Sequence, residues 1–480
     1  MAPQGTPGPA STSARRLAQD TLTPMVEKGD RRGARVAGIT SELIAVDDQV
    51  RPLATAVHDM EAVHGETWSQ LCRIHLGGST PPPPEPPASL GLVVRSAAAG
   101  AGLRTWTPDG ALMLRLIEQW MRSFAAQHLG GEEIVTPTLY RWQPGTELYD
   151  LAETFEDRLF VSRAGSRAHV LRYSADPGFF GYAASLSLRA EQLPVRLWEY
   201  GTFFRRGRDG ELRGIQRLHE FRLLDHHTIC KAEQAVEEYG RLVSAQIEAL
   251  RAIAGSVAAE FTVTADGLQP CLPAIRAAAE CTGSPSVVEL LSERKHYWTM
   301  KSFLYVDGPY ETCNLQLDTA NVERFGLSRQ DGDTAVIHAT MMSAERMVLI
   351  TTHIASRLPH PQLPLWLSPV QVRVVPVDPR HGGGVATLDF LRSGGIRAEL
   401  DDRPRSLPWR ISDAARSWIP YTVVVGSAEE RSATLDLRYR DGRREQMRYE
   451  QVLARLESEL AGYPRAELPR RSTRERFWVR

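Results

Sequence analysis

The 480-residue sequence predicts an α+β domain on an antiparallel sheet followed by a small α/β domain, and three observations carry that prediction. Strand-like runs dominate the middle of the chain, with helical patterns grouped around them. From about Pro364, strand and helix alternate over about 95 residues. Before either begins, a tract rich in Gly, Ser, Thr and Pro from Gly77 to Pro87 breaks the chain, and its proline run Pro81–Pro84 reads as a stiff extended linker.

In chain order, residues 1–33 are Pro, Gly, Ala, Ser, Thr and Arg without periodicity, which predicts an unstructured tail. From about Ala34 to His75 apolar residues recur at helical spacings (Leu43, Val50, Leu53, Val57, Met60, Val63), so 34–87 is expected to be a helical segment plus linker. The α+β domain takes residues 88–362. Its first helix runs from Pro108 to His128, with Thr107 placed to cap it and Pro108 suited to the first turn. The stretch EEIVTPTLY, Glu132 to Tyr140, is a strand that Pro137 confines to an edge or bulge. Further strands are expected at 169–173, 195–204, 215–229, 302–306 and 312–318, and a helix near Ser343. Residues 363–465 form the α/β domain, with strands in VQVRVVPVD, GIRAELDD, YTVVVG and TLDLRYRDGR. The tail RRSTRERFWVR, within 466–480, is basic and expected to be mobile.

Hydrophobic residues make up 42% of the chain and charged residues 24%, and no apolar run approaches the ~20 residues of a membrane span. Without a compact apolar core behind a positive start, no secretory signal is expected, so the predicted location is cytoplasmic with no membrane partner. Cys72, Cys230, Cys271, Cys281 and Cys313 form no CxxC pair, which argues against a disulfide framework and a cysteine-built zinc site. A net charge of −1 leaves no global basic signature, so contact with nucleic acid has to come from local arginine patches. Lysine occurs only at Lys28, Lys231, Lys295 and Lys301. Nearly all positive charge is therefore guanidinium, suited to bidentate phosphate or carboxylate contacts.

The stretch Leu197 to Cys230 carries the chemistry. An apolar and aromatic run ends at Arg205 and Arg206, a turn with Gly207, Asp209, Gly210 and Gly214 follows, and an extended pattern resumes, as in a long antiparallel hairpin. Alternation puts Arg217, Phe221, Asp225 and His227 on one face of the second arm. Polar groups on a buried face need partners, and a polar ligand supplies them. From Phe221 to His227 the rise is roughly 20 Å at about 3.3 Å per residue, room for a nucleotide at one end and a small acid at the other. From the stretch alone two readings stay open: a solvated edge with an arginine-rich turn, or the wall of a ligand site.

With these motifs the chain resembles the class II aminoacyl-tRNA synthetases, in their threonyl branch, from about Leu90 to Leu460. LGLVVRSAAAGAGLRTWTPDGALMLRLIEQWMR looks like the entry to the catalytic domain. EEIVTPTLY looks like the first class II motif, with Pro137 at the dimer-forming bend; the hairpin is similar to the second motif and SAERM, residues 343–347, to the third. GIRAELDDRPRSLPWRISDAARSWIPYTVVVG is similar to the anticodon-binding domain shared by the threonine, proline, glycine and histidine enzymes. The resemblance implies a class II synthetase catalytic domain, ATP with Mg2+, a small amino acid, tRNA as a candidate acceptor, and a homodimer.

Position by position, it implies that Arg205 holds the ATP α-phosphate, Arg346 the γ-phosphate and Arg217 a further phosphate oxygen, with Phe221 stacked on adenine. Arg205, Arg346 and Gln316 make up the implied catalytic set. Asp225 and Tyr297 match positions that contact a threonine hydroxyl and amine, and Gln316 and Asp318 match a strand lining the same floor. The family's zinc ligands, one cysteine and two histidines, fall on Asp176, His227 and His338, a set that still suits Zn2+ with one position open. Arg438 and Arg440 match positions that read anticodon bases. Read without the resemblance, the two histidines are equally core residues and Asp176 a turn cap before Pro177.

The chain also departs from the family. Gly207 stands where a glutamate follows the motif arginine, the third motif is short and lacks its glycine, an expected lysine is Met300 with Lys301 beside it, and Asp176 replaces the zinc cysteine. The stretch before Leu90 is too short for an editing domain. These departures lead to the expectation of a divergent paralogue. Two functions are compatible with all this: a threonyl-type ligase activating threonine or a related β-hydroxy or β-amino acid, or a non-aminoacylating relative with a regulatory, resistance or specialised-metabolism role.

Overall fold

Twelve residues from Glu220 to Lys231, EFRLLDHHTICK, form a strand buried from Leu223 to Cys230, with a neighbour hydrogen-bonded along each of its edges. The computed structural model that contains it describes residues 22–23, 35–39, 86 and 90–476, the last span except 96–97, 154, 209, 213, 265, 285, 292–297, 307–309, 328–332 and 381. These residues divide into two units. The first takes in residues 124–206 and 220–343 with the strands before residue 82; the second takes in 83–123, 207–219 and 344–480.

The first unit is built on a ten-stranded sheet. From edge to edge its order is Leu22–Thr23, Arg35–Ile39, Ser286–Leu291, Val257–Thr264, Trp298–Val306, Tyr310–Asp318, Thr334–Thr340, Glu220–Lys231, Val195–Phe204 and Glu132–Glu133. Pairing is antiparallel except between Val257–Thr264 and Ser286–Leu291 and between Glu132–Glu133 and Val195–Phe204. The first two strands in this order correct the expected tail and helix at those residues. Arg35–Ile39, with β-branched Val36 and Ile39, pairs with Ser286–Leu291 in place of opening a helix. The rest of the expected 1–33 tail and 34–75 helix lies outside the described residues.

The sheet's two faces are treated differently. On one, the helix Ala235–Ala254 lies against the strands, its Tyr239 hydroxyl donating to the Leu315 carbonyl at 3.1 Å and paired with the Ser302 hydroxyl at 2.8 Å. On the other, the short helix Asp176–Ala183 covers one end with Phe179 and Phe180, which pack with Leu197, Ile229, Val322 and Val336. Burying such side chains contributes about 1.5–3 kcal/mol each. The remainder of that face carries the site.

The second unit contains a five-stranded sheet in the order Ala398–Leu400, Val372–Pro376, Tyr421–Val425, Thr434–Tyr439, Arg444–Arg448, the first three parallel and the rest antiparallel. VRVVP and YTVVV are buried on both faces, as a parallel core requires. The helix Pro108–Phe124 also counts almost wholly in this unit, and Thr107 caps it as expected, its Oγ1 accepting from Gly110 N at 3.3 Å.

As far as Arg476 the basic tail is docked, which corrects the expectation of mobility for these residues. Leu400 N donates to the Arg471 carbonyl at 2.8 Å, and Arg470 bridges Glu399 at 2.6 Å and Asp109 at 2.5 Å. Because Glu399 is fully buried, the tail arginine is drawn in to neutralise it. Around this point Arg373, Arg403, Arg470 and Arg476 face Asp109, Glu399, Asp401 and Asp413, four guanidiniums against four carboxylates.

Candidate active site

Register makes the floor of the first unit's open face. His227 pairs with His338, His338 with Gln316 and Gln316 with Lys301, so four polar side chains stand in one row across four strands. One pleat further along, Glu199, Asp225, Thr340 and Asn314 make the next row. Alternation along the second arm brings Phe221, Asp225 and His227 to this face as expected. Met300 is fully buried behind the sheet while Lys301 points onto the floor, so the lysine that the family pattern expects one position earlier is presented by the next residue.

At the covered end lies a donor cluster. Asp176 Oδ1 is 3.2 Å from His227 Nε2 and 2.8 Å from His338 Nδ1, and one ligand atom from each residue lies within 4.8 Å of the others. Ser174 Oγ donates to Asp176 Oδ2 at 2.7 Å, leaving Oδ1 to the imidazoles. Phe179 stacks on the His227 ring with centroids 4.0 Å apart, and the two histidine rings meet edge to face at 4.9 Å. The Asp176 carboxyl tends upward through burial, but the His338 and His227 imidazoles outweigh that and hold it well below the carboxylate range. His227 is lowered by burial. His338 is raised: burial opposes its charge, but the Asp176 and Asp318 carboxylates dominate. One carboxylate and two imidazoles, oxygen and nitrogen donors only, fit Zn2+ or another borderline divalent ion.

Asp318 departs from the substrate contact that the resemblance implies. It is fully buried, its oxygens taken by Ala320 N, Asn321 N, Asn321 Nδ2 and His338 Nε2 at 3.0, 2.9, 2.8 and 3.0 Å. A carboxylate with four donors has no capacity left for a substrate. Gln316 stays half-buried on the floor, its Nε2 donating to Asn314 Oδ1 at 3.3 Å. Asp225 is buried beside Thr340, and burial pushes its carboxyl up to about 7.

At the other end, Arg205 Nε donates to the Tyr173 carbonyl at 2.7 Å, and its guanidinium lies 5.4 Å from the Phe155 ring and 5.5 Å from Phe221. Those contacts hold the guanidinium at the end of the hairpin arms beside the ring expected to take a base. Arg217 is not on this face, which corrects the hairpin reading. The second arm begins at Glu220, because His219 N leaves the ladder for the Gly102 carbonyl; Arg217 is exposed in the connection, 3.5 Å from Glu211. Arg346 stands half-buried in the first turn of Ala344–Ser356, in the second unit. Tyr297 lies outside the described residues. In the second unit Arg440 donates twice to the Pro361 carbonyl, and Arg438 pairs with Asp436 at 2.8 Å.

One buried group beneath the site was missed from the sequence. Glu199 accepts from Thr136 N and Thr136 Oγ1, both at 2.9 Å, and from Arg172, tying the Pro137 segment to the floor. Gly201 makes the room: a Cβ there would sit 2.2 Å from an Arg172 nitrogen. The available signal was a lone glutamate inside the apolar run LWEYGTFF, which demands a buried partner.

Comparison with known proteins bears on both units. Residues 161–354 match the model of the tRNA synthetase class II core domain (G, H, P, S and T), and residues 371–459 match that of the anticodon binding domain. Threonine–tRNA ligases of Methanopyrus kandleri and Methanococcus maripaludis are 32% and 29% identical over 79% and 92% of the chain. The matches take in 66% and 73% of those relatives, and 63% of the Pyrococcus horikoshii threonine–tRNA ligase, so the chain spans about two thirds of the curated relatives it matches. Among solved structures, the RNA binding domain of threonyl-tRNA synthetase from Cryptosporidium parvum shares the fold with a TM-score of 0.68 at 20% identity, covering 79% of this chain and 98% of that one. A putative threonyl-tRNA synthetase from Aeropyrum pernix gives 0.66 at 17% identity, covering 79% and 97%. With its core and anticodon-binding domains matched in order and its polar floor built on the expected strands, the chain belongs to the class II aminoacyl-tRNA synthetases.

Proposed function

We propose that the chain joins threonine, or a related β-hydroxy or β-amino acid, to ATP and passes the acyl group to the terminal ribose of a tRNA. The observation that carries this reading is the Asp176, His227 and His338 cluster, set on the same sheet face as Asp225 and Gln316. In the first step a carboxylate oxygen of the amino acid attacks the α-phosphorus, the bond to the β-phosphate oxygen breaks, and pyrophosphate leaves. Arg205, held by the Tyr173 carbonyl, faces the charge that builds on the α-phosphate, with Phe221 beside it for adenine. Arg346 is assigned the γ-phosphate, and Mg2+ accompanies the nucleotide.

Asp176 Oδ1, His227 Nε2 and His338 Nδ1 would hold Zn2+. When bound, the ion supplies an acceptor for adjacent amine and hydroxyl groups, which a methyl group cannot replace. Asp225 then orients the substrate's polar groups from the neighbouring row, and Phe179 and Phe180 keep water out. Residues 371–459 are assigned to the tRNA anticodon, and the protein to the cytoplasm. Val135 and Leu139, 85% and 51% exposed around Pro137, support two-fold association through that segment.

The test is ATP–pyrophosphate exchange with threonine, serine and valine. Threonine and serine share the chelating pair, so both should drive exchange at least about 100-fold faster than valine. Equal rates with valine would remove chelation from the account. No exchange with any amino acid would point to the binding-only relative that Gly207 and the short third motif allow.

A further inference from the structure

We propose that Asp318 is a positioning residue for the metal cluster: it keeps a proton on His338 Nε2, so that Nδ1, once an ion displaces the proton it shares with Asp176, is the nitrogen that ligates at the position shared with Asp176 and His227. The inference rests on the metal reading above. An imidazole ligates through one nitrogen and only when that nitrogen is unprotonated, so whatever fixes the proton on the other nitrogen decides whether the ring is a ligand. In His338 the two nitrogens face different carboxylates. Nδ1 lies 2.8 Å from Asp176 Oδ1, inside the cluster; Nε2 lies 3.0 Å from Asp318 Oδ2, outside it.

Asp318 is built for the second role. Its Oδ1 accepts from Ala320 N and Asn321 N, which fixes the carboxylate to the start of the Asn321–Arg324 turn. Its Oδ2 accepts from Asn321 Nδ2 and from His338, so the acceptor offered to the imidazole cannot rotate away. His227 enters differently, presenting Nε2 to the same Asp176 oxygen at 3.2 Å with Phe179 stacked on its ring. Two histidines thus converge through different nitrogens, and His338 is the one whose choice a buried carboxylate enforces.

Asp318→Asn isolates this role. The amide oxygen can keep both backbone N–H bonds, and Asn321 can turn its amide so that its unpaired Oδ1 accepts where Nδ2 now donates, so the turn survives, but the new Nδ2–H group also faces His338 Nε2 and can only donate. The imidazole must then accept at Nε2 and carry its proton on Nδ1, which blocks the ligand position. The experiment uses the full chain in two measurements: zinc affinity by competition with a chromophoric chelator, and the histidine Nε2–H resonance by NMR on 15N-histidine-labelled protein. Asp318→Asn should weaken zinc about 10–100-fold and lose the His338 Nε2–H signal, which His338→Ala identifies. Adding Asp318→Asn to His338→Ala should then cost nothing further. Unchanged zinc affinity with the signal retained in Asp318→Asn would overturn the proposal. If the wild-type chain takes up no zinc, yet shows an Nε2–H signal that Asp318→Asn removes, Asp318 keeps its hold on His338 and the metal reading alone is discarded.

Discussion

Two buried polar clusters, one in each unit, look alike in composition and differ in what they leave unfinished. In the second unit Arg373, Arg403, Arg470 and Arg476 meet Asp109, Glu399, Asp401 and Asp413, with Arg416 joining from the rim at Asp413, and Arg373 and Glu399 are 1% and 0% exposed. Each of these charges has an opposite partner within the chain. In the first unit a single carboxylate oxygen of Asp176 is shared by two imidazoles, and the outer atoms of Asp176 and His338 are already satisfied by Ser174 and Asp318. Its outer groups are fixed so that three inner atoms converge. A closed network of charges supports the fold, whereas convergent donors held from behind belong to a ligand.

The contrast can be broken by mutation. Arg373→Met should cost about 3–5 kcal/mol, because Glu399 and Asp401 lose a buried partner; denaturant unfolding measures it, and zinc affinity should not move. His227→Ala should do the reverse, weakening zinc by more than about 100-fold while changing stability by about 1–2 kcal/mol. A large stability loss with metal retained would place the first cluster in the same class as the second.

Smaller effects sharpen the comparison. Asp176→Cys should keep or tighten zinc and narrow the range of accepted ions, since thiolate is the softer donor; competition between Zn2+ and Mn2+ or Co2+ reads this directly. In the second unit, burial alone would raise the Glu399 carboxyl, but the Arg373 and Arg470 guanidiniums outweigh it and hold it below the ordinary glutamate value. A lowered acid contributes stability above its unfolded-state value, about 4.3, and loses it as pH falls through the folded value. Thermal melts from pH 7 to pH 3 should therefore show Glu399→Gln less stable at neutral pH, by on the order of 1 kcal/mol, with the gap closing in acid.

These clusters were unequally legible in the sequence. Phe221, Asp225 and His227 could be placed on one face because strand alternation is local, and the motif match carried Asp176 and His338 to them across long separations in the chain. Arg217 failed for the same local reason: nothing in QRLHEF announces that His219 leaves the ladder to bond Gly102. Asp318 was read as a floor residue because its position is right. Its burial depends on the turn at Asn321, which periodicity does not report. The docked tail was hidden in another way, since RRSTRER has the composition of a solvated segment and acquires its place from buried acids far away in the chain.

The central claim is that Asp176, His227 and His338 form a metal site that takes the amino acid, and elemental analysis of the protein purified without chelator tests it most directly. The account predicts close to one zinc or similar divalent ion per chain, falling to background in His227→Ala. Wild-type protein carrying no metal, or His227→Ala retaining a full equivalent, would contradict it.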